Sequence, residues 1–189
     1  MSVSQRRKGL TRRSFAQLAE AAAMALGLAG AGLQAQSPSP AAVRSPADDQ
    51  PGLQFLMDVA LDLQGPGGGS HTIGFPGAER VTVAVTGGTF EGPKLKGTVL
   101  TPGGDWLIRR PDGSSVLDVR VTLQTDDKQL IYLSYRGIMY TPKGGKLYWR
   151  TIPMFETGAE KYSWLNQIVC VGVGVPTPGK ASYRIYQVL

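Results

Sequence analysis

Leu117, Val119, Val121 and Leu123 alternate with Asp118, Arg120, Thr122 and Gln124. No other feature limits the fold as much, because a period of two puts one set on each face of a strand. Leu53, Phe55, Met57, Val59, Leu61 and Leu63 alternate in the same way, as do Val81, Val83 and Val85. Further strand-like runs follow at 94–100, 105–110, 130–137, 147–154, 166–175 and 182–189, separated by glycine- and proline-rich turns. Only 155–165 carries a pattern that predicts a helical turn. The expectation is an all-β chain of about eight to ten strands, and its short connections make neighbours antiparallel. So many strands without covering helices must hide their edges, and closure into a barrel does so completely. An outer-membrane barrel fits less well, because the turns are short and no aromatic girdles frame the apolar faces.

The stretch from Thr86 to Trp106, TGGTFEGPKLKGTVLTPGGDW, holds six glycines and two prolines. It predicts a hairpin-rich wall in which TPGG joins two short strands. At its end an acid, Asp105, stands beside a large aromatic, Trp106.

The chain begins differently. TRRSFAQ, with Arg12 and Arg13, has the form of a twin-arginine export signal, and a weakly apolar run from Ala21 to Leu33 follows. That run is too short to span a bilayer. A cleavage position follows Ala35, so residues 1–35 are expected to leave an exported, periplasmic or secreted protein; an ordinary Sec signal gives the same destination. Residues 36–52, with Pro38, Pro40, Pro46 and Pro51, read as a linker, and 53–189 as one domain. The formal charge of +6 is mostly leader. Without five cations and Glu20 the balance is 20 − 5 = 15 against 14 − 1 = 13, about +2, too weak a footprint for nucleic acid. Cys170 is the single cysteine; it excludes an intrachain disulfide, and its apolar setting reads as core.

Three blocks now carry a resemblance: TGGTFEGPKLKGTVLTPGGDW, RPDGSSVLDVRVTLQTDDKQLIYLSYRG and YWRTIPMFETGAEKYSWLNQIVCVGVG. In this order and spacing they resemble uncharacterised protein family 0311, the domain of unknown function 3237, over about 53–189. The resemblance implies a compact antiparallel β-barrel and brings no assigned activity. The leader departs from family members that lack one, and the 140–147 segment is shorter than the family's.

The chemistry on offer is sparse. With one histidine, His71, in a glycine-rich loop, no metal cluster is expected, and nothing marks a nucleophile elbow. GPGGGS lacks the lysine and following helix of a phosphate loop. Asp126 and Asp127 read as a β-turn. No cofactor is expected. The candidate ligand-binding residues are Asp105, Trp106, Asp118, Arg120, Tyr135, Arg150, Glu156 and Trp164, with Trp106, Trp149 and Trp164 as walls; Glu156 with Tyr162 can also simply brace a loop. One arrangement puts Asp118, Arg120, Tyr135 and Arg150 in the lumen, where arginine would anchor an anionic or carbonyl group and a carboxylate would shuttle a proton. Strand pattern by itself favours that polar face in water; the resemblance favours the lumen, because these residues fall inside its blocks. Three functions stay open: acid–base isomerase, cyclase or lyase chemistry on a small, partly apolar molecule; a lipocalin-like carrier; and a structural or partner-binding barrel. The expected partners are a small ligand and, as an option, a second copy of the chain. No nucleic acid and no membrane span after leader removal are expected.

Overall fold

A computed structural model describes residues 50–64 and 70–189. The leader, most of the linker and the GPGGG run lie outside the described residues. Nine strands follow in order: β1 Leu53–Leu63, β2 His71–Phe75, β3 Ala78–Glu91, β4 Lys96–Arg109, β5 Ser115–Thr125, β6 Leu130–Tyr140, β7 Tyr148–Glu156, β8 Cys170–Thr177 and β9 Lys180–Val188. A short 3-10 helix, Glu160–Gln167, separates β7 from β8, within reach of the turn expected at 155–165.

All the pairings are antiparallel, and β1 pairs with both β9 and β3, so eight strands close into a barrel. The remaining strand, β2, pairs among the described residues with β3, along the part of its edge that β1 does not use. His71 opens β2 and is exposed like the rest of that strand, rather than lying in a loop. An edge strand without a buried face leaves no alternation to read.

The glycine-rich stretch is wall, but not two hairpins. β3 and β4 are each continuous over fourteen residues. Register slips between Val85 and Thr89 on β3, and between Leu100 and Gly104 on β4. Both strands therefore kink in mid-course, β3 at TGG and β4 at TPGG, where a turn between two short strands was expected at TPGG. A barrel wall has to bend, and bulges with glycines do this inside strands. At Gly88, φ is 141° and a Cβ would collide with the Ala60 carbonyl. Only glycine lets β3 close onto β1 there.

Alternation on β5 sends Leu117, Val119, Val121 and Leu123 inward, all at most 3 % exposed. Val59 opposite Phe90, Leu123 opposite Ile131 and Leu133 opposite Phe155 fill one half of the lumen. Tyr162 and Leu165 of the 3-10 helix join this core and plug its end. Asp127, in the β5–β6 turn, ties the plug down: it accepts hydrogen bonds from Thr125 Oγ1 (2.5 Å), Lys161 Nζ (2.6 Å) and Tyr162 Oη (2.9 Å). Tyr162 is thus braced by Asp127 and not by Glu156. Cys170 is fully buried in the same core, and burial pushes its thiol up to about 11, as expected for a packing residue.

Candidate functional site in the barrel lumen

The other half of the lumen is not purely apolar. Register aligns Asp105, Val119, Tyr135 and Pro153 across β4 to β7, and Leu117, Gly137, Thr151 and Gly172 across β5 to β8. Trp149 enters from β7 and Tyr183 from β9. The glycines of CVGVGV make the room. Cβ atoms at Gly172 and Gly174 would run into Thr151 Oγ1 and the Trp149 ring. Small residues on β8 thus admit a hydroxyl and an indole into the barrel.

Tyr183 is the centre of an aromatic trio. Its ring lies 4.9 Å from Tyr135 at 61° and 4.9 Å from Trp149 at 78°, both edge-to-face arrangements that aromatic quadrupoles favour. The Tyr135 hydroxyl and Trp149 Nε1 are buried against the Tyr183 hydroxyl, which couples to both, and among the described residues neither they nor the buried Thr151 Oγ1 makes a well-formed hydrogen bond. Polar groups buried with poorly formed hydrogen bonds are uncommon in a native core, and a cluster of them can receive a ligand or a water. Burial, then the neighbouring Tyr183 and Asp105, pushes the Tyr135 phenol well above its ordinary range. Burial raises Tyr183 as well. Both phenols are therefore neutral donors at any physiological pH.

Asp105 is the acid of this cluster. It is half-buried, and Oδ1 accepts the Asp118 backbone N–H at 3.0 Å. Burial pushes its carboxyl up to about 6, the Asp118 amide opposes this, and the Asp118 charge adds to it. A carboxyl poised there holds and gives a proton near neutrality.

The candidate residues divide between the two sides of the wall. Asp105 and Tyr135 face the lumen. Asp118, Arg120 and Arg150 lie on the outer face, which corrects the arrangement that put them inside. The reason is the β5 alternation: one face of the strand fills the core, so Asp118 and Arg120 take the other. They form an exposed ion pair at 3.2 Å, and Arg120 stacks on Trp106, also outside, at 5.4 Å. Arg150 lies over Tyr148 at 5.0 Å. Glu156 ends β7 on the outer face, exposed. Trp164 sits on the plug, with Lys94 over its ring at 5.2 Å. Among the described residues the buried lumen positions include no arginine or lysine, so the cluster offers a ligand neutral donors and a carboxylate. Tyr183 and Thr151 were not singled out from the sequence, and Trp149 only as a wall. Their one signal is phase: each shares strand parity with a buried neighbour, Ile185 or Phe155. No group of three or more His, Cys, Asp or Glu side chains that could hold a metal occurs among the described residues.

Known proteins share this architecture. A β-barrel-like protein of Acinetobacter baumannii superposes with a TM-score of 0.69 at 33% identity, covering 74% of this chain and 97% of that one. A UPF0311 protein of Rhodopseudomonas palustris is 32% identical over 126 residues, 60% of this chain and 82% of the relative. A hydroalkoxylation enzyme of Penicillium herquei is 31% identical over 124 residues, 65% of this chain and 73% of the relative. The family model described as "Protein of unknown function (DUF3237)" matches residues 51–188, and the chain belongs to that family.

Proposed function

We propose that this barrel binds a small, partly apolar molecule in the half of its lumen lined by Asp105, Tyr135, Trp149, Thr151 and Tyr183, and that Asp105 moves a proton on it. One observation carries the reading: a half-buried carboxyl raised to about 6 lies in the same half of the lumen as three buried polar groups, Tyr135 Oη, Trp149 Nε1 and Thr151 Oγ1, that make no well-formed hydrogen bond to the described residues. A ligand hydroxyl or carbonyl satisfies the Tyr135 and Trp149 donors, while its apolar body packs on the aromatic faces. The hydroalkoxylation enzyme among the relatives supports one reaction class, addition of a hydroxyl across a carbon–carbon double bond. In that step protonated Asp105 gives its proton to one alkene carbon. The substrate oxygen bonds the other carbon, and the hydroxyl proton returns to Asp105. One C–O and one C–H bond replace the π bond and the O–H bond, without net oxidation. The Arg12–Arg13 leader supports export to the periplasm as the place of action; its test is retention of the chain inside the cell when both arginines become lysine.

The test of the chemistry uses 2-allylphenol, which carries a hydroxyl and an alkene in one small aromatic molecule. The wild-type chain is expected to bind it and form the isomeric cyclic ether, resolved by chromatography and NMR because the mass does not change. Asp105→Asn is expected to bind without turnover. Binding without turnover by the wild type assigns a carrier instead of an enzyme. Absence of binding, with 2-allylphenol and its cyclic product both tried, overturns the lumen site.

A further inference from the structure

We infer that the outer face of β6 to β8 is a dimer interface whose occupant is a second copy of this chain, related by a two-fold axis that crosses β7 at Pro153.

The argument starts from the outward positions of β7: Tyr148, Arg150, Ile152, Met154 and Glu156. Ile152 is 59 % exposed and Met154 48 %. Scattered apolar residues on a surface need no explanation, but these are not scattered. Ile138 lies opposite Arg150 on β6, and Val173 lies opposite it on β8; Val175, two residues further along β8, is 44 % exposed. Together these exposed and half-buried aliphatic side chains form an apolar patch on the sheet face, with Arg136 and Arg150 standing in it, and such a patch rimmed by polar groups marks an association surface.

Its relief suits interlocking. Arg136 and Ile152 are register partners, and together they form a ridge shared by two open grooves. The groove toward β5 has a volume of about 530 Å³, and the one toward β8 about 590 Å³. A protruding Ile152 from a facing copy has a groove to enter on either side of this ridge.

Charge decides the occupant. Arg150 stands three residues before Pro153 and Glu156 three after it; Ile152 and Met154 stand one before and one after. The row is thus apolar at its centre, positive at one end and negative at the other. A two-fold axis in the plane of contact, perpendicular to β7 at Pro153, reverses the strand in the second copy. Arg150 of each copy then meets Glu156 of the other, and Ile152 meets Met154. At about 3.3 Å per residue, Arg150 and Glu156 each stand about 10 Å from the axis, outside the Ile152–Met154 pair, while Arg136 on β6 stands level with Ile152. Such self-complementarity is what an isologous interface requires. None of the ion pairs among the described residues uses Arg150 or Glu156. A site in the lumen lies on the other side of the same wall, so the inference does not rest on the proposed chemistry.

Sedimentation equilibrium of the purified chain tests this, with far-UV circular dichroism and thermal melting as controls for folding. The wild type is expected to dimerise. Arg150→Glu and Glu156→Arg, each by itself, put like charges in contact twice and are expected to weaken dimerisation at least about tenfold. The double variant Arg150→Glu with Glu156→Arg restores attraction and is expected to recover the wild-type dimer. Ile152→Asp removes the ridge and gives a folded monomer. A wild-type monomer at every soluble concentration overturns the inference, as does a dimer that both single charge swaps leave intact.

Discussion

The backbone N–H of Asp118 donates to Oδ1 of Asp105 at 3.0 Å. The bond reaches from β5 to a side chain on β4, beside the point where their ladder is interrupted, between the Asp105–Val119 and Ile108–Val116 pairs. It does two things at once. It supplies the Asp118 amide with a partner, and it holds the carboxyl at the lumen. Burial makes the ionised form unfavourable there, and one amide hydrogen bond does not offset that cost.

Asp105 therefore makes stability fall as pH rises. Its carboxyl is raised from 3.8 to about 6 in the folded chain. Below about pH 4 the group is protonated in both states and adds nothing; between pH 4 and 6 the folded chain binds the extra proton. Above pH 6 the penalty is complete, about 3 kcal/mol for a shift of this size. Asp105→Asn keeps the acceptor for the Asp118 amide and removes the charge. Chemical denaturation across pH 4–8 is expected to show the variant more stable than wild type at pH 7.5 by about 2–3 kcal/mol, with the difference closing by pH 4. A difference independent of pH would show that the Asp105 charge is not the source.

Tyr135→Phe separates stability from binding. Among the described residues the hydroxyl is buried without a well-formed hydrogen bond, and its removal spares the desolvation cost of about 1–3 kcal/mol. The variant is expected to be as stable as wild type, or up to about 1 kcal/mol more stable, while its affinity for 2-allylphenol falls by about tenfold or less, the worth of one hydrogen bond. Urea denaturation and calorimetric titration measure the two effects independently. A large loss of stability would show that the hydroxyl serves the fold.

Gly174→Ala tests how Trp149 is accommodated in the lumen. A Cβ at this position would meet the Trp149 ring, a rigid group with little freedom to move away. The expected cost is about 2–3 kcal/mol from overpacking. Trp149→Phe in the same chain frees space and is expected to recover part of it, which a double-mutant cycle by urea denaturation quantifies. Gly144, where an added Cβ meets nothing within 4 Å but φ is 72°, provides a contrast, because Gly144→Ala would cost backbone strain with no clash to relieve.

Asp127→Asn loosens the plug. Lys161 first, then Thr125 and Tyr162, hold the Asp127 carboxyl below its usual range. A depressed folded pKa gives stability that is present above the unfolded value of about 4 and is lost as pH falls through the folded one. The variant is expected to melt at a lower temperature than wild type at neutral pH and to lose less stability on acidification. Faster amide hydrogen exchange in the 3-10 helix Glu160–Gln167 than in β5 would place the loosening at the plug.

The sequence by itself determined the walls. Alternation at Leu117–Leu123 and Leu53–Leu63, with short turns and no amphipathic helix, leads to antiparallel strands that must close, and the β1–β3 and β1–β9 pairings close them. It also singled out Asp105 and Tyr135, because polar residues on strands dense in apolar side chains stand out. The sense of each face was legible on β5, where four aliphatics in a row leave only one side for the core. Putting Asp118, Arg120 and Arg150 inside went against that pattern. Turn and kink were not separable at TPGG, since glycine and proline serve both. Only tertiary structure brought Tyr183 from β9 against Tyr135 from β6 and Trp149 from β7. These residues are far apart or on different strands in the chain, and it is barrel closure and strand register, not local pattern, that bring three aromatic rings together on the lumen side with Asp105.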